Sequence, residues 1–107
     1  MNHFFEIADL LAQRQRLGKP YLEFLRIPAM SAGLYVLPAG ATDRQQPHNE
    51  DEIYYVVRGR ARMRVGEEDR LVTTGTIIFV EANVEHRFHD IYEDLEVLVL
   101  FAPAESS

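Results

Sequence analysis

Cysteine is absent from the 107 residues, which excludes disulfides and thiolate metal ligands but does not identify a compartment. No apolar run approaches the roughly 20 residues needed to cross a bilayer. Met1 to Ala12 carries Glu6 and Asp9 and lacks a basic start followed by an apolar core, so no secretory signal is expected there. Positive charge is scarce: 11 Lys and Arg against 17 Asp and Glu leave a formal net charge of -6. Such a surface repels phosphate backbones and anionic lipid, so neither nucleic acid nor a membrane is the expected partner. There is no internal repeat and no low-complexity stretch, and no serine or cysteine nucleophile stands out near a histidine. A soluble cytoplasmic protein is the default expectation.

What the chain does contain is enough for one core. Domains commonly run about 100–150 residues, and 47% of the residues are hydrophobic. Residues 1–19 read as an N-terminal helical segment packing on a barrel. Asp9 is a candidate N-cap, Leu10, Leu11 and Leu17 form an apolar stripe, and Arg14 and Arg16 suit the negative end of the helix dipole. Gly18 followed by Pro20 is a stop signal.

From residue 20 to residue 104 the texture is that of one β domain. Eight strand-like runs alternate with turn residues: 21–27, 33–37, 52–58, 60–65, 70–73, 76–80, 85–91 and 95–101. Strands at such intervals read as an all-β sandwich or barrel. Arg60-Ala61-Arg62-Met63-Arg64-Val65 alternates strictly, placing arginine toward water and the other face toward a packed interior. By contrast, 53–57 and 95–101 are apolar on both faces and need covering twice, by the barrel interior and by the N-terminal segment or a second subunit. The tail Glu105-Ser106-Ser107 is expected to fray.

Several polar residues sit awkwardly in this apolar frame. Gln46 and His48 are two apart and share a face if extended. Glu52 opens an apolar run and shares parity with Tyr54 and Val56, which points it inward. His86 begins another strand in alternation with Phe88. Two imidazoles and one carboxylate aimed into one barrel form the set that holds iron(II) and related divalent ions. An unpaired carboxylate in that setting would cost several kcal/mol or stay protonated. The competing reading is that each histidine is simply a satisfied core residue.

The spacing is also that of a known family. Gly40-(five residues)-Gln46-Pro47-His48-(three residues)-Glu52-(six residues)-Gly59 resembles the first cupin motif, G-x5-H-x-H-x3-E-x6-G, with Gln46 at the place of the first histidine. Gly75-(five residues)-Glu81-Ala82-Asn83-(two residues)-His86-(three residues)-Asp90 resembles the second, G-x5-P-x-G-x2-H-x3-N. Its glycine is replaced by Asn83, which can adopt the same left-handed turn, and its asparagine by Asp90. The resemblance implies an RmlC-like jelly-roll barrel of about eight strands, often a homodimer. It carries over His48, Glu52 and His86 as ligands of one divalent transition metal ion (Fe, Mn, Zn, Ni or Cu). Gln46 would be a weaker fourth ligand, or would hydrogen-bond a bound water or substrate.

Tyr54 and Met63, inward by parity, either line a substrate pocket or are plain core. His3 and His89 are expected to face solvent, and Glu50-Asp51 reads as exposed charge. By resemblance, the favoured function is a metal-dependent enzyme, dioxygenase-like, acting on a small oxygen-bearing molecule; an isomerase or lyase on the same ion stays open. The alternative is a non-catalytic module that binds or senses a metal or small ligand.

Overall fold

The computed structural model describes residues 1–44 and 46–106. One helix, α1 (Ile7–Leu17), precedes six strands: β1 (Tyr21–Ile27), β2 (Met30–Leu37), β3 (Asp51–Val65), β4 (Glu68–Thr73), β5 (Ile77–Val80) and β6 (His86–Ala102). All pairings are antiparallel, in the order β1-β2-β6-β3-β4, with β5 also paired to β3. The sheet curls into an all-β jelly roll around a core that includes Tyr54, Val56, Met63, Phe88, Val97 and Val99.

The expected eight strands are six among the described residues. The runs at 52–58 and 60–65 fuse into β3, and those at 85–91 and 95–101 fuse into β6. Gly59 and the polar stretch at 92–94 do not end the strands; they bend them. Register shifts between β3 and β6 lie between Val56 and Arg62. Each bulge inserts a residue and resets which parity faces inward. Glu52, Tyr54 and Val56 are buried before the bend, and Ala61 and Met63 after it. His86 and Phe88 give way to Leu95, Val97 and Val99 in the same manner. The arginine face of 60–65 therefore points outward as expected, although the two halves of β3 do not share one parity.

Gly59 makes the bend possible. Its φ is +104°, and a Cβ there would lie 2.3 Å from the Asp94 carbonyl oxygen and 2.8 Å from the Leu95 Cα. Both neighbours are backbone and cannot swing aside. Gly59→Ala is expected to destabilise the fold by at least about 2 kcal/mol, from left-handed strain alone. Urea denaturation measures it, and an unchanged midpoint would contradict the corner described here.

Two expectations about α1 need correction. The cap is Glu6, not Asp9, which sits in the first turn; Glu6 makes no side-chain capping bond. Leu10 is the buried residue of the helix, while Leu17 is exposed, so the apolar stripe is narrower than the leucines suggested. Gly18 does close the helix in a left-handed conformation, donating its N–H to the Arg14 carbonyl. The helix packs on β1 and β2, and Phe5 meets Phe24 with ring centroids 4.9 Å apart. The N-terminal segment thus covers β1 and β2, not the doubly apolar part of β3. There Ile53 and Tyr55, paired with Phe79 and Ile77 of β5, keep 40%, 39%, 56% and 67% of their surface exposed.

The C-terminal tail is tied down through Ser106, whereas Ser107 lies outside the described residues. Ala104 N–H donates to the Pro28 carbonyl at 3.3 Å, and Glu105 N–H to Ser31 Oγ at 2.9 Å. Ser106 donates from its N–H and its hydroxyl to Glu50 Oε2, at 3.1 and 2.7 Å. The tail therefore straps the β1–β2 turn to the loop entering β3. It also buries Glu50, which had read as exposed charge. Asp51 stays exposed and accepts from the Ala82 N–H at 2.9 Å.

Candidate metal centre

His48 stands in the loop before β3, Glu52 near the start of β3, and His86 at the start of β6. Two connections hold these elements in register. β3 pairs with β6, placing Glu52 opposite Phe101, and the Asn83 N–H donates to the His48 carbonyl at 2.6 Å. Asn83 adopts φ 67°, the left-handed turn anticipated for it, and so delivers His86 to the barrel interior.

One ligand atom each from His48, Glu52 and His86 lies within 4.8 Å of the others. His86 Nε2 is 3.2 Å from Glu52 Oε1, and His48 Nε2 is 4.0 Å from the same oxygen. Glu52 and His86 side chains are about 1% exposed, His48 17%. Neither oxygen of Glu52, nor Nε2 of His86, has an aligned hydrogen-bond partner among the described residues. Buried polar atoms are rarely left so, and their convergence with His48 makes a group that could hold a cation. Burial favours neutral His86, but the adjacent Glu52 carboxylate and the Val84 carbonyl outweigh it, and its pKa lies above the usual imidazole value. The site is organised to attract positive charge. Two imidazoles and one carboxylate with room around them suit a divalent transition metal ion.

Each imidazole is also held from outside. His86 Nδ1 lies 2.9 Å from the Val84 carbonyl. His48 Nδ1 lies 3.3 Å from Glu105 Oε2, and its ring packs edge-on against Phe101 at 4.9 Å.

Residues 33–102 match the protein family described as "Cupin domain". The chain is a cupin. An uncharacterized protein of Streptomyces coelicolor is 51% identical over 102 residues, covering 95% of this cupin and 97% of the relative. Among solved structures, KdgF from Halomonas sp. aligns with TM-score 0.70 at 24% identity, over 78% of this chain and 76% of that one. An RmlC-like cupin with a double-stranded β-helix fold from Methanocaldococcus jannaschii aligns with TM-score 0.70 at 20% identity, over 78% of both chains. These two likenesses concern the fold alone.

The remaining candidates fall in different places. Gln46 is exposed and lines a cavity of about 400 Å³ together with His86, Arg64 and Arg87. Tyr54 is fully buried beneath the site, its ring 5.9 Å from His86 and 5.2 Å from Phe88. Met63 is packed in the core. His3 is exposed. His89 lies on the outer side, half-buried, 2.8 Å from Asp69.

Sequence reasoning missed the wall on the His48 side. A cavity of about 190 Å³ is lined by Tyr21, Tyr35, His48, Val99, Phe101 and Glu105. Tyr21 and Tyr35 are cross-strand partners, so the β1–β2 register, once known, would have revealed them. Tyr35 donates to Asp43 Oδ1 at 2.7 Å, and the Phe88 N–H donates to Asp43 Oδ2 at 2.9 Å. Asp43 thereby pins the loop that leads to His48 onto the strand that carries His86. The Tyr21 hydroxyl is buried with no hydrogen-bond partner among the described residues. Burial, reinforced by Glu105, Glu23 and Glu52, raises the Tyr21 pKa. Burial and the bond to Asp43 raise that of Tyr35. Both phenols stay protonated.

Proposed function

We propose that this cupin is a metal-dependent enzyme acting on a small oxygen-bearing molecule. His48, Glu52 and His86 would hold one divalent transition metal ion, in a cytoplasmic homodimer. The observation that carries this reading is the convergence of one ligand atom each from His48, Glu52 and His86 within 4.8 Å of one another, around a carboxylate whose side chain is about 1% exposed. A bound ion of this kind supplies Lewis acidity and open positions at which an oxygen donor or dioxygen can be activated.

The chain's own residues then define the substrate. The cavity beside His48 is about 190 Å³, below the ~300–1,000 Å³ of pockets for drug-sized ligands, so the substrate is small. Val99 and Phe101 line one side of this cavity with apolar surface. The Tyr21 hydroxyl is a protonated donor able to orient a substrate oxygen. Gln46, from the neighbouring cavity that also reaches His86, is placed to hydrogen-bond a bound water or a second polar group. A dioxygenase-like reaction on a small diketone, enol or catechol is the favoured example, with a lyase or isomerase on the same set of ligands. The open apolar face formed by Ile53, Tyr55, Ile77 and Phe79 supports a second copy of the chain as partner.

The test is oxygen consumption and product formation on a panel of small diketones, enols and catechols, after reconstitution with iron(II) or manganese(II). Turnover of at least one compound, abolished by chelator, is the expected result. Tight retention of a compound without turnover would replace the enzyme by a binding or sensing module.

A further inference from the structure

The C-terminal strap brings a fourth ionisable side chain to the metal centre from 57 residues away in sequence. Glu105 Oε2 stands 3.3 Å from His48 Nδ1, the nitrogen that faces away from the other two ligands. The opposite nitrogen, Nε2, is the one turned toward Glu52. His86 repeats this arrangement, with the Val84 carbonyl 2.9 Å from Nδ1 and Nε2 turned toward Glu52. Both rings therefore present Nε2 inward and Nδ1 to an oxygen. For His86 that oxygen comes from its own loop, two residues away. For His48 it comes from the tail.

The strap is built to hold this carboxylate in place. Ser31, itself fully buried, accepts the Glu105 N–H at 2.9 Å. Arg26 donates to the Glu105 carbonyl at 2.5 Å. On either side, Ala104 is tied to Pro28 and Ser106 to the buried Glu50. Backbone bonds thus clamp the residue on both flanks and leave its side chain to reach into the cavity wall beside His48.

We propose that Glu105 is a positioning residue for His48. Its carboxylate accepts a hydrogen bond from Nδ1–H, fixing the tautomer whose Nε2 lone pair faces Glu52 and His86. This rests on the reading of these three residues as metal ligands. A carboxylate behind a ligating imidazole holds the ring in orientation and raises its basicity, and losing such a partner typically costs 10–100-fold in metal affinity. The strap then becomes part of the metal centre and not a frayed end.

Cobalt(II) titration of the metal-free protein, followed by calorimetry and by the visible absorption of the bound ion, tests this. Wild type, Glu105→Ala, Glu105→Gln and Glu52→Ala are compared, with the melting temperature of each metal-free form. Glu105→Ala should bind cobalt(II) about 10–100-fold more weakly than wild type. Glu105→Gln, whose amide oxygen still accepts from Nδ1–H, should recover most of that loss. Equal affinity in Glu105→Ala and wild type would overturn the role of Glu105. So would a glutamine variant as weak as the alanine variant with an equally lowered melting temperature, which would make the side chain merely structural. Weak binding by Glu52→Ala alongside unchanged Glu105→Ala refutes only this inference. No binding by wild type refutes the metal reading and this inference with it.

Discussion

Replacing Glu52 with alanine is expected to weaken divalent-metal binding by more than about 100-fold. Partners that merely orient a ligand are worth 10–100-fold, and Glu52 stands nearer the centre than any of them. Its Oε1 is the atom that both imidazoles approach, at 3.2 and 4.0 Å. Without the carboxylate, two neutral rings would face a dication with no compensating charge. The loss should be visible in stability as well. Metal at 100 times its Kd stabilises a native protein by about 2.7 kcal/mol. For a domain of this size that amounts to a rise on the order of 10 °C in melting temperature. Wild type should show that rise and Glu52→Ala almost none at the same metal concentration. A differential scanning experiment in which both proteins gain equally would show that the ion binds elsewhere.

Met63→Arg should be the most damaging single change to the fold. Met63 is 3% exposed on the inner face of β3, opposite Phe88 of β6 and Arg70 of β4, and it belongs to the main core. Arg62 and Arg64, one residue to either side, point outward, and Arg62 pairs with Asp69 at 3.0 Å. An arginine at 63 has no such exit. An unpaired buried charge costs roughly 3–5 kcal/mol, a large fraction of the ~5–15 kcal/mol that stabilises a typical domain. The variant should be insoluble or lose cooperative urea unfolding. A variant as heat-stable as wild type would mean that Met63 does not face the interior.

These two residues also show what could be read in advance. Glu52 and Met63 lie in short alternating runs, where parity alone assigns a face. The same logic pointed His86 inward with Phe88, and motif spacing linked His48 to both. Local periodicity does not survive a bulge, however. Gly59 has the sequence character of a break between two strands, yet it is the corner of one strand along which the inward parity changes. The eight expected strands became six for that reason. Chain ends are harder still. Glu105 and Ser106 carry no periodic or motif signal; their roles come from contacts with His48, Glu50 and Ser31, which are 56 to 74 residues distant. Glu50 looked exposed because nothing near it in sequence covers it. Asp43 and the Tyr21–Tyr35 pair became recognisable only once the β1–β2 register and the loop before β3 were in place.

A cation site formed together by His48, Glu52 and His86 is open to direct measurement. Native mass measurement of the wild-type protein, reconstituted with iron(II) or manganese(II) and dialysed, tests it most directly. One retained ion per chain is the result this account predicts. A chain that stays metal-free after reconstitution would contradict it, leaving a cupin barrel whose buried carboxylate and imidazoles serve only one another.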